Sequence, residues 1–274
     1  MQLPNSQKTL RHRRQQLKQN SIYLLPNAFT IAALFFAFYA ITQSMHGRFE
    51  SASISVFFSM ILDGMDGRVA RWTNSQSTFG EQLDSLADMV SFGVAPAMVV
   101  YTWQLHHFGK LGFCVAFIYC ACAALRLALF NVLIGKVDKK WFIGVPSPTA
   151  AAMVIGMVWL GCRHQDKMVF NSYFVLLLTL FAGLSMVAQV RFWSFKDMKN
   201  RQVPFVVIVV FMLLLSLLAL EPAGVLFVCA LMYSLSGYFY AVWQKIQLNK
   251  QKSFRQPENI SENITEKENQ STQN

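Results

Sequence analysis

Four aspartates fall between residues 63 and 88, in the stretch LDGMDGRVARWTNSQSTFGEQLDSLADMV. Asp63 and Asp66 are three residues apart, and Asp84 and Asp88 are four apart. On helices both spacings put the pair on one face. Four carboxylates from two facing helices form an all-oxygen donor set, which suits a hard divalent cation such as Mg²⁺ or Mn²⁺. Their four negative charges balance two such ions. Gly64, Gly67 and Gly80 stand beside the acids, where helix propensity disfavours them. Gly67 lets a bulky ligand approach the backbone next to Asp66. Arg71, four residues on, can bind phosphate oxygens in a bidentate fashion. Carboxylates, divalent ions and an arginine around a glycine-lined gap suit a diphosphate better than a neutral solute.

The elements that must hold these groups lie in an apolar medium. Of the 274 residues, 54% are hydrophobic, 24 are Phe and only 14% are charged, against about 25% charged in a soluble domain. Too few charges remain to cover a water-exposed surface, and the long apolar runs indicate an all-α, polytopic transmembrane bundle. Hydropathy predicts eight spans, near 22–45, 50–72, 83–104, 110–134, 146–162, 169–190, 203–220 and 222–243, with Glu221 and Pro222 turning the last hairpin. At lipid depth the backbone between the termini must be helical. Residues 1–20 read as a basic arm on the anionic membrane face. Residues 21–200 read as the core, 201–245 as an additional hairpin, and 246–274 as a polar, disordered tail.

The net charge of +10 follows the loops and forms no soluble patch, which argues against a nucleic-acid partner. Placing the N-terminus inside puts 19 of the 24 Lys and Arg on the cytoplasmic side and four outside (Arg48, Lys110, Arg163, Lys167). That asymmetry predicts cytoplasmic termini and a cytoplasmic site. With no small-residue cleavage site after a short apolar stretch, the first span is expected to be retained. The remaining cation, Arg126, falls inside the fourth span. The five cysteines lack zinc-ligand spacing and an even extracellular framework, and read as small packing residues.

A carboxylate near the bilayer centre costs roughly 2.5–3.5 kcal/mol on the insertion scale. Four would approach roughly 10 kcal/mol on that scale before any mutual repulsion. Bound cations are the compensation that the donor set itself suggests.

The stretch matches D-x-x-D-G-x-x-A-R-x8-G-x-x-x-D-x-x-x-D at Asp63, Asp66, Gly67, Ala70, Arg71, Gly80, Asp84 and Asp88. This resembles the signature of the CDP-alcohol phosphatidyltransferase family. The resemblance implies a site with two Mg²⁺ or Mn²⁺ ions holding the diphosphate of a CDP-linked lipid. Asp63 and Asp84 would touch both ions, Asp66 the first and Asp88 the second, with Asp88 also the base for the acceptor hydroxyl. Gly67, Ala70, Arg71, Ser77 and Gly80 match positions along the CDP-lipid site. LPNAFT at 25–30 is similar to the family's nucleotide-contacting stretch, which implicates Asn27 and Thr30, although Pro26 and Asn27 also read as ordinary helix punctuation. A homodimer in a bacterial inner membrane is implied by the resemblance alone.

The acceptor must be read elsewhere, because the whole family shares the acidic motif. ALRLALFN at 124–131, FIGVPSPTAAA at 142–152 and MVAQVRFWSFK at 186–196 resemble the membrane-embedded bacterial members that use L-serine with CDP-diacylglycerol. Those members often carry a second Arg where Leu129 stands here. Arg126 needs an anionic partner inside the membrane. The carboxylate of serine or a lipid phosphate would serve, and so would a permanent ion pair with one of the aspartates. The VPSP bend reads either as loop amides near the acceptor or as a helix start. Competing readings are a sister enzyme using choline, glycerol phosphate or inositol phosphate, and a cation transporter. The phosphorylated acceptors call for a cluster of intramembrane cations, and the transporter for a repeated half with broken helices; neither is evident.

Overall fold

The computed structural model describes residues 26–73, 75–133, 141–163, 171–188, 191–193 and 205–239. The basic arm and the polar tail lie outside these residues. Among the described residues eight helices run in sequence: α1 (Pro26–Met45), α2 (Phe49–Trp72), α3 (Thr78–Trp103), α4 (Lys110–Leu133), α5 (Ser147–Arg163), α6 (Ser172–Val187), α7 (Phe205–Leu220) and α8 (Pro222–Phe239). Of these, α1, α3, α4 and α8 are long and apolar enough to cross a membrane by length and composition. α2 is as long as α4 but carries the acids. The chain is an integral-membrane-type helical bundle.

One boundary differs from expectation. The third helix starts at Thr78 rather than near 83, with Ser77 as its N-cap accepting from the Gly80 amide at 3.0 Å. Its first two turns are polar, so hydropathy undervalues them. A π-turn at Met89–Val94 then interrupts α3, with the Ala95 amide donating to the Val90 carbonyl. Pro96 is the cause: it has no N–H for the carbonyl of Phe92, four residues back. The Tyr119 hydroxyl on α4 donates to that carbonyl at 2.9 Å, and Tyr119 is fully buried.

Small residues let the helices approach, as expected where apolar burial does not distinguish protein from lipid. A Cβ on Gly183 (α6) would lie 2.9 Å from the Tyr119 Cα, and one on Gly156 (α5) 3.0 Å from the Phe227 Cα on α8. Large side chains such as Phe35, Phe38, Phe117 and Met232 point outward, which accounts for much of the Phe content. Below the acids, the buried Ser59 hydroxyl joins three helices, bonding to the Ala33 carbonyl at 2.7 Å and to Ser91 at 2.9 Å.

A short antiparallel ladder, β1 (Trp141–Ile143) with β2 (Arg191–Trp193), ties the segment before α5 to the one after α6. Gly144 follows with φ +78°, and a Cβ there would lie 2.3 Å from the Met186 carbonyl oxygen. Val145 then bonds the Ser185 carbonyl at 3.0 Å. Only glycine fits this turn, which fixes where α5 begins.

Candidate active site

The antiparallel run of helices brings the start of α1, the end of α2 and the start of α3 to one end of the bundle. There, one carboxylate oxygen each from Asp63, Asp66 and Asp84 lies within 4.8 Å of the others. Asp66 is only 4% exposed. Its carboxylate is fixed from two sides, by the Thr30 hydroxyl at 2.8 Å and by the Gly67 amide. Asp88 is not part of that three-oxygen set. It joins through Asp63, beside which its carboxylate lies, as that of Asp66 lies beside Asp84. The Asp88 Oδ1 is buried without a partner.

Two carboxylates in such contact need a shared proton or a cation between them. The donor set is all oxygen and converging, with Asp66 fixed from two sides, which fits a hard divalent cation. The residues present therefore fit the metal that the sequence implied.

Beside the acids opens a cleft of about 230 Å³. Asp66 and Asp84 form its floor, and Asn27, Thr30, Gly67, Ala70, Arg71, Ser77 and Gly80 all line it. The two glycines have different physical roles. A Cβ on Gly67 would meet no protein atom within 4 Å, so packing does not explain that glycine and the space beside it is open to a ligand. A Cβ on Gly80 would crowd Asn27 Oδ1 at 3.1 Å and Ser77 Oγ at 3.2 Å. Gly80 thus lets Asn27 come close to the start of α3. Arg71 is exposed, and its Nε donates to the Gly67 carbonyl at 2.9 Å, leaving the rest of the guanidinium at the cleft.

Arg126 on α4 lies near Asp88. Its Nη1 donates to the Ser147 hydroxyl at the first residue of α5, and its Nε is buried without a partner. Asp88 and Tyr233 are both within electrostatic reach. The ion pair recorded among the described residues is Arg163 with Glu221, at 3.7 Å, so Arg126 is not locked to an aspartate. The VPSP bend is a helix start, with Ala150 bonding the Pro146 carbonyl at 3.0 Å, and it also delivers Ser147 to Arg126. Leu129 is 45% exposed, so the missing second arginine removes no group from the interior around Arg126. The cysteines are all free; Cys122 is buried and Cys120 and Cys162 pack on the core, but Cys114 and Cys229 are exposed and do not pack as expected.

Sequence reasoning missed four contributors: the Thr30 bond to Asp66, the Ser59 knot, Ser147 and Tyr233. Thr30 lines the cleft, as a nucleotide contact would, and its hydroxyl also donates to a carboxylate, which the sequence did not reveal. A buried hydroxyl one turn before Asp63 was the visible signal for Ser59. No local signal pointed to Tyr233, which comes from a distant helix. A second, apolar cavity of about 630 Å³ lies between α2, α5, α7 and α8, lined by residues that include Met60, Ile61, Thr149 and Tyr233.

The chain thus combines a helical bundle of membrane-spanning character with a carboxylate cluster that could hold a metal ion beside a glycine-lined cleft. Residues 23–184 match the model of the CDP-alcohol phosphatidyltransferase family. A Helicobacter pylori protein named CDP-diacylglycerol--serine O-phosphatidyltransferase is 36% identical over 239 residues, covering 85% of this chain and 98% of that protein. A Bacillus subtilis protein of the same name is 34% identical over 172 residues, covering 63% of this chain and 91% of that protein. One from Mycobacterium leprae is 30% identical over 204 residues, covering 73% and 67%. The chain belongs to the CDP-alcohol phosphatidyltransferase family.

Proposed function

We propose that this protein transfers the phosphatidyl group of CDP-diacylglycerol to the hydroxyl of L-serine, forming phosphatidylserine and releasing CMP. The observation that carries the reading is the convergence of Asp63, Asp66 and Asp84 within 4.8 Å beside a cleft lined by Asn27, Gly67 and Arg71, with Asp88 and Arg126 close by. The similarity to serine-using relatives supports the choice of acceptor.

Asp63, Asp66, Asp84 and Asp88 would hold two divalent ions, Mg²⁺ or Mn²⁺. When bound, the ions neutralise the diphosphate and stabilise charge on the departing CMP. Thr30 and the Gly67 amide keep Asp66 oriented. Asn27, Ala70, Ser77 and Gly80 shape the cleft for the nucleotide, and Arg71 offers its free N–H groups to phosphate oxygens. Asp88 accepts the serine hydroxyl proton as the oxygen attacks the lipid-side phosphorus and the bond to CMP breaks. Arg126, near Asp88, receives the serine carboxylate. The acyl chains remain in the apolar surroundings of the bundle.

The positive-inside asymmetry supports a cytoplasmic site and cytoplasmic termini in a bacterial inner membrane. Family resemblance favours a homodimer surrounded by phospholipid and a 21–200 core extended by a 201–245 hairpin, and polar composition favours terminal arms at 1–20 and 246–274. The test is CMP release by the purified protein from CDP-diacylglycerol with Mn²⁺, offering serine, choline, glycerol phosphate and inositol phosphate in turn. Serine alone should support rapid release. Preferential use of any other alcohol would overturn the serine assignment.

A further inference from the structure

Arg126 is an intramembrane charge with little compensation among the described residues. Its Nη1 has one neutral partner, the hydroxyl of Ser147, which is 1% exposed, and its Nε is buried with none. No carboxylate lies within salt-bridge distance among the described residues. A guanidinium held this way needs an anion to complete it.

The C-terminal hairpin supplies the other neighbour. Gly156 on α5 packs against Phe227 on α8 so closely that a Cβ would lie 3.0 Å from the Phe227 backbone. The two helices run in opposite directions. Seven residues back from Gly156 is Thr149, and seven residues on from Phe227 is Ser234, so this contact sets Tyr233 beside the start of α5. The apolar cavity agrees, since Pro148, Thr149 and Tyr233 share its wall. Tyr233 is also within electrostatic reach of Arg126. Gly144 and the Val145 bond to Ser185 fix the other side, because they determine where Ser147 stands.

We propose that Ser147 and Tyr233 are positioning residues that orient the Arg126 guanidinium toward the acceptor carboxylate, which makes α8 a wall of the acceptor pocket. The proposal rests on the serine reading above. The phenol oxygen can accept from the guanidinium, whose Nη1 already donates to Ser147. Together they leave Nε and the remaining N–H groups for a carboxylate whose hydroxyl end reaches Asp88. The residues matched by the family end at 184, so on this account the hairpin beyond them adds acceptor selection to a shared transfer site.

The test compares initial rates of Tyr233→Phe, Ser147→Ala and Ser147→Thr with the full-length protein, varying serine or serine methyl ester at saturating CDP-diacylglycerol and Mn²⁺. The ester keeps the hydroxyl and amine and lacks the carboxylate charge. Tyr233→Phe and Ser147→Ala should each raise the serine KM about 3- to 10-fold. Turnover, the CDP-diacylglycerol KM and the ester KM should stay within about twofold, and Ser147→Thr, which keeps the hydroxyl, should restore the serine KM. Equal losses for serine and ester, or a joint fall in turnover and CDP-diacylglycerol affinity, would reduce the hairpin to a structural support and overturn the proposal. So would an unchanged serine KM in Tyr233→Phe. A wild-type protein that releases CMP without needing serine would instead overturn the serine reading itself, and this pocket with it.

Discussion

Replacing Thr30 with valine removes one oxygen and adds a methyl group of similar size at a site that is 3% exposed. The lost group donates to Asp66 Oδ2 at 2.8 Å. A hydrogen bond to a charged acceptor contributes about 1.5–3 kcal/mol, and each 1.4 kcal/mol is about tenfold in an equilibrium. The carboxylate also loses the contact that fixes its rotation, since the Gly67 amide holds only its other oxygen. Groups that orient a metal ligand typically contribute about 10- to 100-fold to metal affinity, in line with that figure. The assay is serine-dependent CMP release as a function of Mn²⁺. Thr30→Val should raise the Mn²⁺ concentration for half-activation about 10- to 100-fold, with turnover at saturating metal close to wild type. Thr30→Ser, which keeps the hydroxyl, should behave normally. An unchanged Mn²⁺ requirement together with weakened CDP-diacylglycerol affinity would refute the reasoning and make Thr30 a nucleotide contact.

Three further outcomes follow from the same geometry. Asp88→Asn should lower turnover about 10²- to 10⁴-fold while CDP-lipid binding persists; near-normal turnover, or a loss of nucleotide affinity alone, would contradict the role of base. Arg126→Leu should raise the serine KM about 10- to 100-fold and remove most of the preference for serine over ethanolamine; an unchanged preference in a folded variant would make Arg126 a structural counter-ion. Tyr119→Phe removes the buried hydroxyl donor from the Phe92 carbonyl, whose usual i+4 partner is Pro96 with no N–H. It should cost about 1–3 kcal/mol, read as a lower thermal midpoint in detergent, and an unshifted midpoint would contradict the account of the π-turn.

The sequence carried the helix count because apolar length is a direct consequence of bilayer thickness. All eight predicted spans correspond to helices, most with ends within a few residues. The start of α3 was hidden because its first turns face a polar cleft, so Gly80 and Glu81 fell outside the predicted span. The interruption at Met89–Val94 was signalled by Pro96 inside an apolar run, but the partner that satisfies Phe92 comes from α4 and has no local trace. The acids were legible from spacing alone, since helical geometry puts residues three or four apart on one face. That Asp88 meets the cluster through Asp63 was not legible, because it depends on how α3 sits on α2. Nor was Tyr233, more than 100 residues from Arg126 in sequence and delivered by the Gly156–Phe227 contact.

The central claim is that the α2 and α3 carboxylates hold divalent ions on which transfer to serine depends. The direct measurement is phosphatidylserine formation and CMP release from CDP-diacylglycerol and serine after exhaustive chelation, followed by return of Mn²⁺ or Mg²⁺. The account predicts no product after chelation, recovery with either ion, and no recovery in Asp84→Asn at the same metal concentration. Full activity in the chelated protein would contradict it.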